Sequence, residues 1–530
     1  MAAGRLAGRA HSYTPAVMRT VASTSTLIAV SAFVLALVLG TEIARPLRGA
    51  SVAFDSQVAV LDWHRMTSGQ TLETYITTTS KPLLTVVFGA LHAVTADWRT
   101  LPWATILAFA AGVAGAAELA RRAAGTAAGV AVGVGLAGSG SLLFDVGHAL
   151  ATPWALAGWA AAGLLIARGV PRYGLAGIAL LLATLARLET VVLVGGAVLV
   201  LLAAALGRMP YDRRAWQVPL VALGAIPVMC LHDLLLVDDP LRWLTVSAQY
   251  SAITDLDVLS PLDVVILLLA RLGAMAGLAL LAIVGTIDLI RRPATPARTT
   301  SLIAVLCLGP AMALFLVILA SRGTFVSERY LAAIDVGVVV AAGIGLAAVA
   351  LVPWGAGDRG FGDRSVGDRS LASRNRRGAV TAAVAAGIAV ALVWPGGWFS
   401  RQVREPVANS LVAAADLERI LPVLMDAIGV ERDGGRTVAL AVPGSIGPRI
   451  AVDLDVPLTI VSDTGQLEPG DLVPGLLVLH HRRAERRPDA ASYLEIGGPT
   501  TVEGVRIDLV ASDEARGWWV VRVVGRPDGA

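Results

Sequence analysis

The side chains of this chain that could do chemistry gather at a few places. Asp55 lies at the start of FDSQVAVLDWHRMTSG (54–69), which also holds Asp62 and His64. Lys81, in TTSKPLL (78–84), is the only lysine among 43 basic residues. Arg187 and Glu189 make a charged corner inside an apolar stretch, and SERYL (327–331) brings Arg329 and Tyr330 to the start of another. A carboxylate in a polar loop suits proton abstraction, and lysine and arginine suit phosphate. Taken together they predict an anion-handling site with a base beside it. Each residue also has a plainer reading. Asp55 alone would be a solvated loop aspartate, Lys81 a snorkelling interface lysine, and Arg329 a cap on a helix end or a partner of Glu328. Arg187 and Glu189 are expected to pair and form the floor of the site. Asp62 and His64 stand behind Asp55 as reserves. His148, Asp233, Asp238 and Asp239 are placed on the same side, but their spacing matches no metal-ligand pattern. No metal ligand is assigned, and a divalent metal stays open.

The rest of the chain must position these groups, and its composition says in what medium. Of 530 residues, 55% are hydrophobic, mean hydropathy is +0.69, and only 16% are charged, against about 25% in a soluble domain. A soluble globule this apolar could not cover its surface. Disordered, collagenous and nucleic-acid-binding classes are excluded as well, because long apolar runs recur along most of the chain. The net charge of +3 is accounted for by the stretch 354–378, where six arginines face three aspartates. Cys230 and Cys307 both lie inside apolar runs, so no disulfide scaffold is expected. The near-absence of lysine fits a GC-rich genome.

Crossing a bilayer takes about 20 apolar residues. Candidate spans are 21–40, 101–120, 124–143, 149–167, 174–206, 215–236, 263–290, 301–320, 330–353 and 379–397. Arginines flank them lopsidedly, which by the positive-inside rule puts the N-terminus in the cytoplasm. The scheme closes if 174–206 is two arms with Arg187 and Glu189 at the outer turn, since either charge at mid-bilayer costs about 2.5–3.5 kcal/mol. It also requires that 83–96 be an amphipathic helix on the outer surface. The expectation is an all-α polytopic membrane domain of about eleven helices over 1–398, with outer loop 41–82 and a cytoplasmic linker 354–378 carrying the repeat GDRGF-GDRSV-GDRSL (357–371). A C-terminal extracytoplasmic α/β domain over 399–530 follows. Helical periodicity runs over 403–429, and strand-like runs follow at 437–442, 457–461, 475–480, 502–510 and 518–524. Strand alternation is expected to bury at least one of Trp518 and Trp519.

The order of motifs resembles the GT-C superfamily of polyprenyl-phosphate-sugar-dependent glycosyltransferases, near protein O-mannosyltransferases and the lipid A aminoarabinose transferase. In that pattern the first outer loop begins with Asp-Glu, passes through "ARxMLxSGDW" and reaches "KPPL". Here Asp55, LDWHRMTSG (61–69) and Lys81-Pro82-Leu83 match in order. DWR (97–99) is similar to the Trp and Arg before the next span, ALLLATLARLETVVLV (179–194) to "GlaxLtRPEg", and Arg329-Tyr330 to a late "RYl". The likeness covers about residues 20–350. It departs at Ser56, Leu83 and Leu188, which stand where the family has Glu, Pro and Pro, and this leaves the sugar and any metal open. The resemblance implies Asp55 as general base and Lys81, Arg329 and Tyr330 around a donor phosphate. It implies a polyprenyl-phosphate-linked sugar donor, a glycan, lipid or protein hydroxyl acceptor, surrounding membrane lipid, and no nucleic acid. A transporter or flippase of lipid-linked sugars, and a non-catalytic envelope scaffold, are the competing classes.

Overall fold

Helices dominate the computed structural model, since in an apolar medium a helix satisfies its own backbone N–H and C=O groups. The described residues are 15–47, 52–68, 81–207, 211–245, 259–323, 326 and 330–350, then 422–426, 440–442, 447–454, 461–463, 475–481, 500–502, 505–513 and 518–525. The sequence readings for 354–378, 379–397 and most of 403–429 lie outside them.

The helical part begins with α1 (Pro15–Leu47), α2 (Phe54–Ser68) and α3 (Pro82–Thr95), then α4 (Thr100–Ala124), α5 (Thr126–Ala137), α6 (Gly140–Gly147), α7 (Thr152–Ile166) and α8 (Tyr173–Ala186). A single 3₁₀ turn, Leu188–Thr190, leads into α9 (Val191–Leu206), and another, Arg213–Trp216, into α10 (Gln217–Ala222) and α11 (Ala225–Val237). Then come α12 (Pro261–Ala274), α13 (Ala276–Arg291) and α14 (Pro296–Leu306). A π-helical turn at Cys307–Ala311, holding Pro310, joins α14 to α15 (Met312–Ser321), and α16 (Leu331–Ala350) closes the series.

Five described stretches are long and apolar enough to cross a membrane: Thr100–Ala124, Leu188–Leu206, Arg213–Val237, Pro296–Ser321 and Leu331–Ala350. The number rises to seven if each of two bent pairs is one span. The chain is thus a multi-pass membrane protein by the length and composition of its helices. Two runs each read from the sequence as one span are bent helix pairs. The 263–290 run is α12 and α13, bent by 92° at Met275, and the 124–143 run is α5 and α6, bent by 49°. Glycines flank the first break (Gly273, Gly277) and Gly138-Ser139 sits at the second. These are residue types that kink helices. The 174–206 run is not one helix either: α8 stops at Arg187, whose backbone is extended (φ −148°, ψ 112°).

The main core joins α4, α5, α7, α14 and α16, with α16 buried along most of its length. Helices α13 and α16 cross with backbones in contact. A Cβ at Gly285 would strike the Ala341 carbonyl and one at Gly345 the Leu281 carbonyl, so small residues set this crossing. An ion pair locks the same region: Arg271 of α12 holds Asp335 of α16 through Nη2 at 2.6 Å and Nε at 3.2 Å, and Ser141 of α6 donates to the same carboxylate at 2.8 Å.

Towards the C-terminus, β1 (Leu440–Val442), α17 (Gly447–Leu454), β2 (Val461–Asp463), β3 (Leu477–His481), β4 (Thr500–Val502), β5 (Val505–Asp513) and β6 (Trp518–Gly525) follow in order. They form a mixed sheet ordered β2-β1-β3-β6-β5-β4. β1 runs parallel to β2 and β3, and the pairs β3–β6, β5–β6 and β4–β5 are antiparallel. The second strand starts where the 457–461 reading ends, and α17 was not anticipated.

Candidate functional site

Helices α2 and α3 create the site by lying side by side in the same direction. Asp55 meets Lys81 near their starts, and Gly89 meets Trp63 two turns on, where a Cβ would collide with the indole. The offset between partners is the same in both contacts, so the two N-terminal ends come together. Pro82 fills the first helical position of α3 and Lys81 its N-cap, a place that favours proline because its missing N–H has no partner there anyway. Lys81 Nζ lies 3.0 Å from Asp55 Oδ2, and the two side chains are 16% and 12% exposed. A base and a cation thus share one small, partly dry spot where two helices begin, ends whose dipoles favour anions.

The turn carrying Asp55 is fastened to the segment between α6 and α7. Ala53 N–H donates to His148 O at 3.0 Å and the Ser56 hydroxyl to Ala149 O at 2.7 Å. Ala149 is buried and left-handed at φ 56°, a conformation that costs a non-glycine residue about 1–3 kcal/mol. It aims the carbonyl at Ser56. Ser56 thus anchors the helix start.

The second group centres on Arg187, largely buried where α8 ends. Its guanidinium reaches Glu189 at 3.2 and 3.3 Å, donates to the Thr152 hydroxyl, lies 4.0 Å from Asp145 and sits 5.5 Å above the Tyr330 ring. Arg187 and Glu189 pair as the sequence suggested, and Tyr330 joins them. Arg329 lies outside the described residues. Asp145 and Thr152 were missed; the signal was a lone acid in the apolar run LLFDVG. Leu83 of α3 and Leu188 pack together against Leu185, Ala225 and Met229, which sets the Lys81 turn beside the Arg187 corner.

The third group lies two turns deeper along α2. Asp62 is buried, and its Oδ1 has no hydrogen-bond partner among the described residues. Burial pushes its carboxyl up to about 6, while the charges of His232, Arg65 and Arg242 pull the other way. The His232 ring lies 3.2 Å from the Thr85 hydroxyl and 3.0 Å from Asp233. Asp62 is thus separated from the Asp55–Lys81 pair along the helix. His64 lies on a half-buried flank of α2, not at that pair. His148 bonds the Phe144 carbonyl at 2.8 Å, and Asp238 is the left-handed C-cap of α11. Among the described residues, no group of three or more His, Cys, Asp or Glu is arranged to hold a metal ion.

Chemically, the first group is equipped to take a proton and to hold an anion at one point. The second supplies a rigid, ion-paired wall.

No family model matches the chain, and no curated protein matches it either. Among solved structures it is similar to ArnT from Cupriavidus metallidurans bound to undecaprenyl phosphate, at 15% identity and TM-score 0.48, covering 91% of this chain and 97% of that one. It is also similar to the apo form of the Archaeoglobus fulgidus oligosaccharyltransferase, at 13% identity and TM-score 0.49, covering 86% and 69%. A third is the A. fulgidus oligosaccharyltransferase AglB with an inhibitory peptide and a dolichol-phosphate, at 12% identity and TM-score 0.46, covering 84% and 66%.

Proposed function

We propose that the chain is an integral membrane glycosyltransferase that moves a sugar from a polyprenyl-phosphate donor to a hydroxyl acceptor at the outer face of the membrane. One observation carries the reading: Asp55 and Lys81 meet at 3.0 Å where two helices begin. The ordered motif resemblance over residues 20–350 supports it. Asp55 takes the acceptor's O–H proton as that oxygen bonds to the anomeric carbon. The bond from that carbon to the donor phosphate oxygen breaks, and the polyprenyl phosphate leaves with inversion. A lysine ammonium has three N–H donors, so Lys81 can keep Asp55 in place and grip the donor phosphate at once. Arg329 is the second phosphate ligand, and Tyr330, stacked under Arg187, holds that corner. Arg187 and Glu189 form the floor. In this reading residues 399–530 form an extracytoplasmic domain and the N-terminus is cytoplasmic. The acceptor is a glycan, lipid or protein hydroxyl.

A transporter of lipid-linked sugars is the second reading, favoured by the buried Arg271–Asp335 pair, since intramembrane charges commonly mark transport paths. The two separate experimentally. An acceptor hydroxyl is a poor nucleophile at neutral pH, and a placed carboxylate contributes about 10²–10⁴ in rate. Purified Asp55→Asn should bind a polyprenyl-phosphate sugar nearly as well as the parent but turn it over at least about 10²-fold more slowly. Asp62→Asn should be much milder. Equal small effects, with labelled lipid-linked sugar still crossing proteoliposomes, would give the function to transport.

A further inference from the structure

Helix α17 belongs to the sheet-bearing C-terminal part of the chain and touches β2, yet it also lies against α2 and the turn after α3. The Trp98 indole N–H donates to Asp453 Oδ1 at 2.8 Å, across 355 residues of sequence. The Arg449 backbone N–H, in the first turn of α17, donates to Gln57 Oε1 at 3.3 Å. The Arg449 guanidinium lies 5.6 Å above the Trp98 ring and bonds Asp453 at 3.4 Å. Val452 packs against a core made of Val52, Ala59, Val60, Leu84, Phe88 and Trp98. Gln57 is buried and also donates to Val52 O at 2.7 Å. It therefore ties α17 to the residues just before Asp55, from a position two residues after it.

We infer that α17 is a positioning element for Asp55: the C-terminal part of the chain sets the seat of the α2 N-terminus through Gln57, Trp98, Arg449 and Asp453, and so sets the angle at which Asp55 meets Lys81. None of the four touches the reacting atoms. The physical reason for such a device is that α2 is too short to be fixed by crossing the membrane. Its start is held on one side by the Ser56–Ala149 bond and on the other by Gln57. A base displaced by about 1 Å can lose about 10²-fold in rate, so whatever loads or strains the C-terminal part would register in turnover. This inference rests on the transferase reading for its consequence, but not for the contact itself.

The test uses the full-length protein in detergent or nanodiscs with Trp98→Phe, Asp453→Asn and the double variant. Trp98→Phe removes the N–H and keeps most of the ring; Asp453→Asn keeps the shape and weakens the bond. Amide exchange over 54–61 should become faster in each. Turnover should fall by about tenfold or more, while KM for the lipid-linked donor stays within about twofold. The double variant should be no worse than the poorer single one, because both singles break one link. Unchanged exchange over 54–61 overturns the proposal whatever the activity. Faster exchange with unchanged turnover overturns the positioning role. Additive losses in the double variant overturn the Trp98–Asp453 link. A parent protein that transfers no sugar refutes the transferase reading instead, and the exchange measurement still decides whether α17 seats α2.

Discussion

Lys81 lies against Asp55 and also carries the charge a phosphate needs, so its variants should separate the two duties. Lys81→Arg keeps a cation and several donors and should retain part of the activity, with a raised donor KM. Lys81→Met removes the charge and should abolish measurable transfer while the protein still folds, since the side chain supports little core. Native-rate transfer by Lys81→Met would reduce it to an interface anchor. Asp62 makes a different residue-scale prediction. Its carboxyl rises from the ordinary 3.8 to about 6 because burial disfavours the charged form. The fold therefore prefers protonated Asp62. That stabilising contribution is fully present below the unfolded value and is lost as pH rises through about 6. Asp62→Asn cannot titrate, so its thermal midpoint should gain on the parent between about pH 4 and pH 6 and hold a constant gap above that. Parallel curves across that window would mean that Asp62 is not buried in this way. At this scale the sequence pointed to Asp55, Lys81, Arg187, Glu189 and Tyr330 by residue type and order. Asp145, Thr152 and Thr85 escaped notice because a single polar residue in an apolar run has no pattern until its partner is known.

Among elements, the relation between α12 and α16 is fixed by charge as much as by shape. Arg271 grips Asp335 with two bonds, and both side chains are largely buried. Removing one partner strands a buried charge, which costs about 3–5 kcal/mol, whereas replacing both with apolar residues is far less harmful. Arg271→Met should sharply lower the thermal stability of the purified protein, and Arg271→Met with Asp335→Leu should recover most of the loss. A double variant as unstable as the single would show that the pair does not act as a unit. Hydropathy located α12, α13 and α16 but could not show the 92° bend at Met275, since an apolar run carries no record of direction. Pairing of Arg271 with Asp335 was equally hidden, because 64 residues separate them. The break at Arg187, in contrast, was legible: two charges cannot sit in mid-bilayer without partners, and the chain ends α8 there.

For the whole molecule, the testable matter is sidedness. In the proposed topology, read from arginine-flanked loops, the GDR repeat is cytoplasmic and 399–530 lies outside. In a background with Cys230 and Cys307 replaced, a cysteine at Ser492 should react with an impermeant thiol reagent in whole cells, and one at Ser365 should not. Labelling of Ser365 alone, or of both, would overturn this topology and with it the outer-face site. The sequence by itself determined the medium and the inventory: apolar runs too many for a soluble core, one lysine, and the order in which its acids and cations occur. These follow from composition and spacing, which the chain carries locally. Only the tertiary structure decided that α2 and α3 lie side by side in one direction, so that residues 26 positions apart in sequence close to 3.0 Å. It also decided that α17 reaches back to Gln57 across 392 residues. Contacts of that range depend on how far each helix can approach its neighbour, as Gly89 against Trp63 illustrates, and steric fit is a property of the packed pair rather than of either segment.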